Sequence, residues 1–361
     1  MAAGNWQGAR LNKLFRNLKG VEAILLANDN GFDPNFRYLA AFRSGLFEGS
    51  ILVATRKKLF LITSSLEYQT AMDQKTRLMT VIGSAGGIEA TRKKLKKLIT
   101  GKRLGINAGM LPVASYKRIM QRYKPKKMVD VSAALLKTRL TKDGSEIGAI
   151  RKAAKVTKTA MRNIQAYFKE GVTELELAAR FDFMQMSLGA SGPSFDTIVC
   201  FGKNASQPHH SPDGTRLRKG DFILIDAGAK VENYCSDITR TFVFGGRASE
   251  KQKEMIDVVA GAQKAAIAAV RPGIDGREIH KIAADFINKA HGGRYNGTFI
   301  HALGHSVGLE VHDGPGFSPG EKNILAPGMV ITAEPGVYIP GFGGVRFEDD
   351  VLITRNGHKV L

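Results

Sequence analysis

Cysteine is nearly absent from this chain: Cys200 and Cys235 are the only two in 361 residues, too few for a disulfide framework. A reducing compartment fits that count, and the cytoplasm is the expected location. Long apolar runs are missing too. The stretch at residues 329–333 is typical, broken within a few positions by Glu or Gly and far short of the roughly 20 residues that a membrane span needs. A soluble globular protein with no membrane partner is expected. Proline is sparse at 12 residues, whereas hydrophobic residues make up 43% and charged residues 24%, which excludes disordered and fibrous classes. At about 100 to 200 residues per domain, the length predicts two domains.

Acidic residues are scarce only in the first part. Residues 1–140 hold 26 Lys and Arg against 8 Asp and Glu, a net +18, while residues 141–361 hold 27 against 25, a net +2. The opening 20 residues carry Arg10, Lys13, Arg16 and Lys19 without an acid but lack the apolar core of a secretory signal, so a first surface helix is expected. Two dense basic runs, at residues 92–103 and 117–127, could attract polyanions through counterion release. A single aromatic, Tyr123, falls within them, too few for base stacking, so a solvated surface is preferred and nucleic acid is the alternative partner.

Strand-like runs at residues 23–26, 50–54 and 59–63 alternate with helical stretches and predict an α/β N-terminal domain over residues 1–140. From residue 141 the pattern changes. A helix opens at Asp143 with the apolar stripe Ile147, Ile150, Ala154, Met161 and Ile164, and a second opens at Thr173 with Glu176 completing a capping box. Strands follow. Two more helices, from Ser249 and from Asp275, again lead into strands. A shift of 108 residues superposes Leu217, Gly220, Asp226 and Gly228 on Leu325, Gly328, Glu334 and Gly336. Residues 141–361 are therefore expected to form an α+β domain with an internal pseudo-two-fold duplication.

Each copy ends an apolar strand on a carboxylate and returns a second one on the next strand: Asp226 then Asp237, and Glu334 then Glu348. Two such hairpins would aim four carboxylates at one centre. Buried anions that close cannot remain unpaired, because desolvation and repulsion would drive some to take up protons. Two divalent cations would neutralise them, and a neutral imidazole from an expected histidine-rich strand, FIHALGHSVGLEVHDGP, which has His301, His305 and His312, would complete the site. Manganese or cobalt heads the candidates, with zinc and iron as alternatives. Such a pair activates water and polarises a carbonyl, so hydrolysis is the expected chemistry. Any one of these residues alone would be weak evidence, and His280, His291 and His358 are read as carrying no chemistry.

These motifs resemble the creatinase/aminopeptidase P family of metallopeptidases, the pita-bread fold, and within it the Xaa-Pro peptidase branch. The likeness covers residues 140–361 at motif level and, more loosely, the first part, where Asn35, Tyr38, Leu39 and Phe42 resemble a family signature. It implies Asp226, Asp237, His305, Glu334 and Glu348 as metal ligands, with Asp237 and Glu348 serving both ions, Asp226 one, and His305 and Glu334 the other. It implies a bridging hydroxide as nucleophile, Glu334 as general base, and His209 and His312 as donors to the substrate carbonyl and the oxyanion. Thr239 and Arg346 would orient the carboxylates, and Phe195 and Val311 would wall the proline ring. His210 and His301 fall outside the matched positions. The family implies a homodimer and proline-containing peptides as substrates, with the basic first part over the active-site mouth or against a second subunit.

Three departures stand out: Ser306 for a usual Gly, Asp313 for a commoner Glu, and Gly316 where proline dipeptidases carry an arginine that pairs with a dipeptide's carboxylate. The missing arginine favours an Xaa-Pro aminopeptidase over an Xaa-Pro dipeptidase (prolidase). A non-catalytic binder of nucleic acid or protein on the same fold is a more remote reading, as is a metal-free creatine-type amidinohydrolase. All five ligand types are present, which weighs against both.

Overall fold

The run AILLA is apolar at every position, as a central strand covered on both faces should be. In the structure, a computed structural model that describes residues 6–16, 18–29, 32–83 and 87–361, it forms β1 (Ala23–Ala27), with all five residues buried. The chain divides into two compact units, Met1–Arg139 and Leu140–Leu361.

In the first unit, α1 (Trp6–Arg16) precedes β1, then α2 (Pro34–Ala40), β2 (Ile51–Ala54), β3 (Leu59–Thr63), α3 (Ser65–Gln74), β4 (Met79–Gly83), α4 (Gly87–Ile99), β5 (Arg103–Ile106), α5 (Val113–Tyr123), β6 (Lys127–Asp130) and α6 (Ser132–Leu140). The strands make one mixed sheet ordered β4-β3-β2-β1-β5-β6. The α1 helix is not simply a surface helix: Leu11, Leu14 and Phe15 are buried, and so is Arg10, whose guanidinium lies 4.5 Å from the ring centres of both Trp6 and Tyr38. Asn35, Tyr38 and Leu39 of the family signature are buried in α2, whose first turn is capped by the Asp33 carboxylate. The two basic runs fall on α4 and α5, which pack Leu95, Ile99, Ile119 and Tyr123 into one core and leave Lys93, Lys94, Lys96, Lys97, Lys117, Arg118 and Arg122 exposed.

In the second unit, α7 (Gly144–Asn163) and α8 (Glu174–Ser187) lead through β7 (Gly192–Pro193) and β8 (Ile198–Phe201) to β9 (Phe222–Ala227), β10 (Ala229–Val231), β11 (Tyr234–Cys235) and β12 (Ile238–Val243). Then α9 (Glu250–Ala269) and α10 (Gly276–Lys289) lead to β13 (Val330–Ala333), β14 (Gly336–Ile339), β15 (Gly343–Arg346), β16 (Asp349–Thr354) and β17 (Gly357–Val360). The duplication extends to individual hydrogen bonds. Gly171 N donates to Leu217 O and Leu217 N to Val172 O, both at 2.9 Å; Gly273 N and Leu325 N donate to Leu325 O and Ile274 O at the same 2.9 Å. Antiparallel pairs β9/β12 and β13/β16 are the two copies of one hairpin. Leu177 and Phe181 of α8 pack with Ile223 and Ile225 of β9, while Phe222 and Leu224, on its other face, join the α9 and α10 core. No helix among the described residues is long and apolar enough to cross a membrane, and Cys200 and Cys235 are buried free thiols.

Two expectations need refinement. Only Asp226 lies within a strand; Asp237, Glu334 and Glu348 occupy breaks between β11 and β12, β13 and β14, and β15 and β16. Pro335, with no N–H to give a ladder, helps make one of these breaks. The histidine-rich segment is not a strand either. It is irregular, anchored by isolated bridges Gly304↔Phe317 and Ser306↔Ile331.

Candidate metal centre

The hairpins cross-link where their strands break. Glu348 N donates to Thr239 O at 3.1 Å, Asp237 N to Asp350 Oδ2 at 3.2 Å, and Thr241 and Arg346 exchange hydrogen bonds at 3.0 and 3.1 Å. That stitching brings together side chains more than a hundred residues apart. His305 is held from behind by Thr332: its N–H donates to Thr332 Oγ1 at 3.1 Å and its carbonyl accepts from Thr332 N at 2.9 Å.

A cavity of about 380 Å³ opens at this junction, and all five expected ligands line it. Donor atoms of Asp237, His305 and Glu348 lie within 4.8 Å of one another. His305 Nε2 stands 3.5 Å from Asp237 Oδ2 and 3.6 Å from Glu334 Oε1. Two of the carboxylates are gripped by one oxygen: Arg346 Nη2 donates to Asp226 Oδ2 at 2.6 Å, and Thr239 Oγ1 donates to Glu348 Oε2 at 2.7 Å. Their other oxygens, Asp226 Oδ1 and Glu348 Oε1, are buried without a hydrogen-bond partner, as is Asp237 Oδ1. Three orphaned carboxylate oxygens and an imidazole nitrogen form a donor set that fits a divalent cation.

Electrostatics agree with that fit. Burial, then the neighbouring carboxylates, pushes Asp237 and Glu348 well above the usual acid range, and burial raises Glu334 to about 8. Burial, then the adjacent His312, lowers His305 to about 4, so its ring is neutral near pH 7 and can ligate. A glutamate raised in the fold stabilises it below its unfolded value and loses that contribution as pH rises through the folded value. Metal-free protein is therefore expected to lose stability between about pH 4.5 and pH 8 on account of Glu334, and added Mn²⁺ to reverse the trend. Thermal melts across that range, with and without metal, measure it. A metal-free melting temperature that climbs steadily to pH 8 would refute this electrostatic account.

Phe195, His209, Val311, His312 and Arg346 also line the cavity, and the rings of His305 and His312 are 4.1 Å apart. Thr239 lies behind the wall, donating to Glu348 and accepting from Arg346 Nε at 3.2 Å. Sequence reasoning missed His301. It lines the cavity with Nδ1 3.9 Å from Glu334 Oε2, and Arg346 donates to Tyr338 Oη, which donates on to His301 Nε2, at 2.8 and 2.9 Å. Its place four residues before His305 carries no information until an irregular segment has folded. His210 belongs elsewhere: with Phe201 N, Asn204 and Asp213 N it saturates the Glu174 carboxylate, leaving no oxygen for a metal.

Residues 148–355 match the model of metallopeptidase family M24, and residues 9–141 match that of the creatinase/prolidase N-terminal domain. The chain belongs to family M24. It is a metallopeptidase of pita-bread fold with a creatinase-type first domain. An Xaa-Pro dipeptidase of Pyrococcus horikoshii is 37% identical over 96% of this chain and 94% of its own. The structure of an Xaa-Pro dipeptidase from Bacillus anthracis superposes with a TM-score of 0.88 at 33% identity, covering 99% of this chain and 96% of that one. An X-Pro aminopeptidase from Thermotoga maritima superposes with a TM-score of 0.87 at 30% identity, covering 96% of each.

Against this family background the departures acquire physical causes. Ser306 is fully buried and donates to Pro315 O at 2.5 Å. Asp313 pairs with Lys142. At Gly316 a Cβ would sit 2.2 Å from Gly304 O and 2.3 Å from His305 Cα. Backbone approach alone thus demands glycine there, and the absence of an arginine need not reflect substrate choice.

Proposed function

We propose that this chain is an Xaa-Pro aminopeptidase that holds two divalent cations, manganese or cobalt before zinc or iron, and releases the N-terminal residue that precedes a proline. The observation that carries this reading is the convergence of three orphaned carboxylate oxygens on one histidine-walled cavity. Asp226, Asp237, His305, Glu334 and Glu348 would hold them. When bound, the cations activate water and polarise the scissile carbonyl.

The chain's own groups do the rest. Glu334 takes the proton of the attacking water and passes it to the departing proline nitrogen. His209 and His312 donate hydrogen bonds to the carbonyl and to the oxyanion that develops from it. Arg346 and Thr239 keep Asp226 and Glu348 turned inward. Phe195 and Val311 offer an apolar wall to a ring whose tertiary amide brings no N–H.

The aminopeptidase reading draws support from the cavity's cations. Arg346 is the only Lys or Arg on its wall among the described residues, and its guanidinium is already engaged by Asp226, Thr239 and Tyr338. No lysine or free guanidinium there awaits a dipeptide's carboxylate. The second reading, an Xaa-Pro dipeptidase, is favoured by the names of the Pyrococcus and Bacillus relatives. Metal-free enzyme titrated with Mn, Co, Zn and Fe against Gly-Pro, Gly-Pro-Pro and Gly-Ala-Ala separates them. The tripeptide with proline is expected to be cleaved with the dipeptide hardly touched. Cleavage of Gly-Pro alone would move the assignment to dipeptidase, and rapid cleavage of Gly-Ala-Ala would remove the proline specificity.

A further inference from the structure

The Lys142 side chain has no exposed surface, and its ammonium lies 3.4 Å from the carboxylate of Asp313, whose side chain is 2% exposed. Taking two such charges out of water costs several kcal/mol each, so a buried pair stabilises less than apolar side chains of like volume would. What it does supply is placement. Asp313 directly follows His312, and the segment that carries both is irregular.

That segment folds back on itself, Asp313 N donating to Ser306 O at 2.7 Å and Gly308 N to Glu310 O at 3.0 Å, and β11 reaches it through Cys235 N, which donates to Gly308 O at 2.8 Å. Neither a helix nor a strand ladder holds Val311 and His312, and His312 is exposed apart from its ring contact with His305. Lys142, by contrast, is rooted in the body of the unit. Its N–H donates to Gly328 O at 2.8 Å, and the next residue, Asp143, is the N-cap of α7. Gly308 is shaped to the pair, since a Cβ there would meet Asp313 Oδ2 at 2.0 Å and Lys142 Cε at 3.1 Å.

We propose that Lys142, acting through Asp313, is a positioning residue that holds the loop so that the His312 ring stays against His305 and faces the cavity. The consequence for turnover rests on the role given to His312 above; the placement does not. Lys142→Met with Asp313→Asn removes both charges at nearly constant volume, whereas either replacement alone takes the opposite charge away from its neighbour.

In crystals of the double variant the His312 ring is expected to move by about 1 Å or more, a displacement large enough to impair catalysis. With Gly-Pro-Pro, kcat is expected to fall about tenfold or more with KM changed less than about threefold, and the loss should not multiply with that of His312→Ala. A His312 ring that keeps its wild-type position overturns the proposal whatever the activity does, and so does a loss that multiplies with His312→Ala. If the wild type cleaves none of these peptides, the functional reading fails while the ring position still decides this one. Should the double variant not fold, Asp313→Asn alone, which keeps the side chain's volume, carries the same measurements with the same two outcomes.

Discussion

Glu334→Ala is expected to lose at least about a thousandfold in kcat on Gly-Pro-Pro while keeping its fold, because it removes a general base and a metal ligand together. The fold has little to lose at this position. The Glu334 carboxylate accepts one long hydrogen bond, 3.4 Å from Thr332 Oγ1, and burial holds it protonated up to about pH 8. Removing an acid whose ionisation burial disfavours should leave the metal-free melting temperature unchanged or higher. Released amino acid and thermal melts, with and without Mn²⁺, test both halves. Turnover within tenfold of wild type would remove Glu334 from the mechanism. A collapsed melting temperature would mean that the carboxylate is structural instead.

Gly316→Arg, which restores the residue common in proline dipeptidases, is expected to destabilise the protein by about 3 kcal/mol or more instead of conferring dipeptide selectivity. A Cβ at this position runs into the Gly304 carbonyl and the His305 Cα, both backbone atoms that cannot rotate away. Relief requires His305 to shift, so metal affinity should fall with stability. Gly320→Ala is the control, since its Cβ would meet nothing closer than Ser318 Oγ at 4.0 Å and should cost under about 0.5 kcal/mol. Chemical denaturation of the three proteins measures the difference. A stable Gly316→Arg variant that prefers Gly-Pro would show that the backbone yields there and that the arginine's absence does select substrate.

Much of this site was legible in the letters because its signals are local or periodic. The 108-residue shift pairs Asp226 with Glu334, and the fold repeats even the hydrogen bonds around Leu217 and Leu325. The capping box read at Thr173 is formed, and the helix starts read at Asp143 and Ser249 are closed by boxes of the same kind. Where the reading went astray, a contact distant in sequence was the reason. His301 looked idle because its partners, Glu334 and Tyr338, lie more than thirty residues on. Arg10 looked solvated because nothing in its neighbourhood of sequence announces Tyr38 above it. Gly316 looked like a lost arginine because the Gly304 backbone that excludes a side chain comes from the facing segment.

The amino-acid order alone determined the division into a basic first part and a duplicated second, the helix starts, and the four carboxylates with their histidine. Each of these follows from charge, period or spacing along one stretch of chain. Only the tertiary structure decided which carboxylate oxygens are left bare, that His301 joins the cavity, and that Lys142 reaches Asp313. The reason is physical: orphaned oxygens and buried pairs are made by desolvation where remote segments close on one another, and no linear pattern records which segments those are.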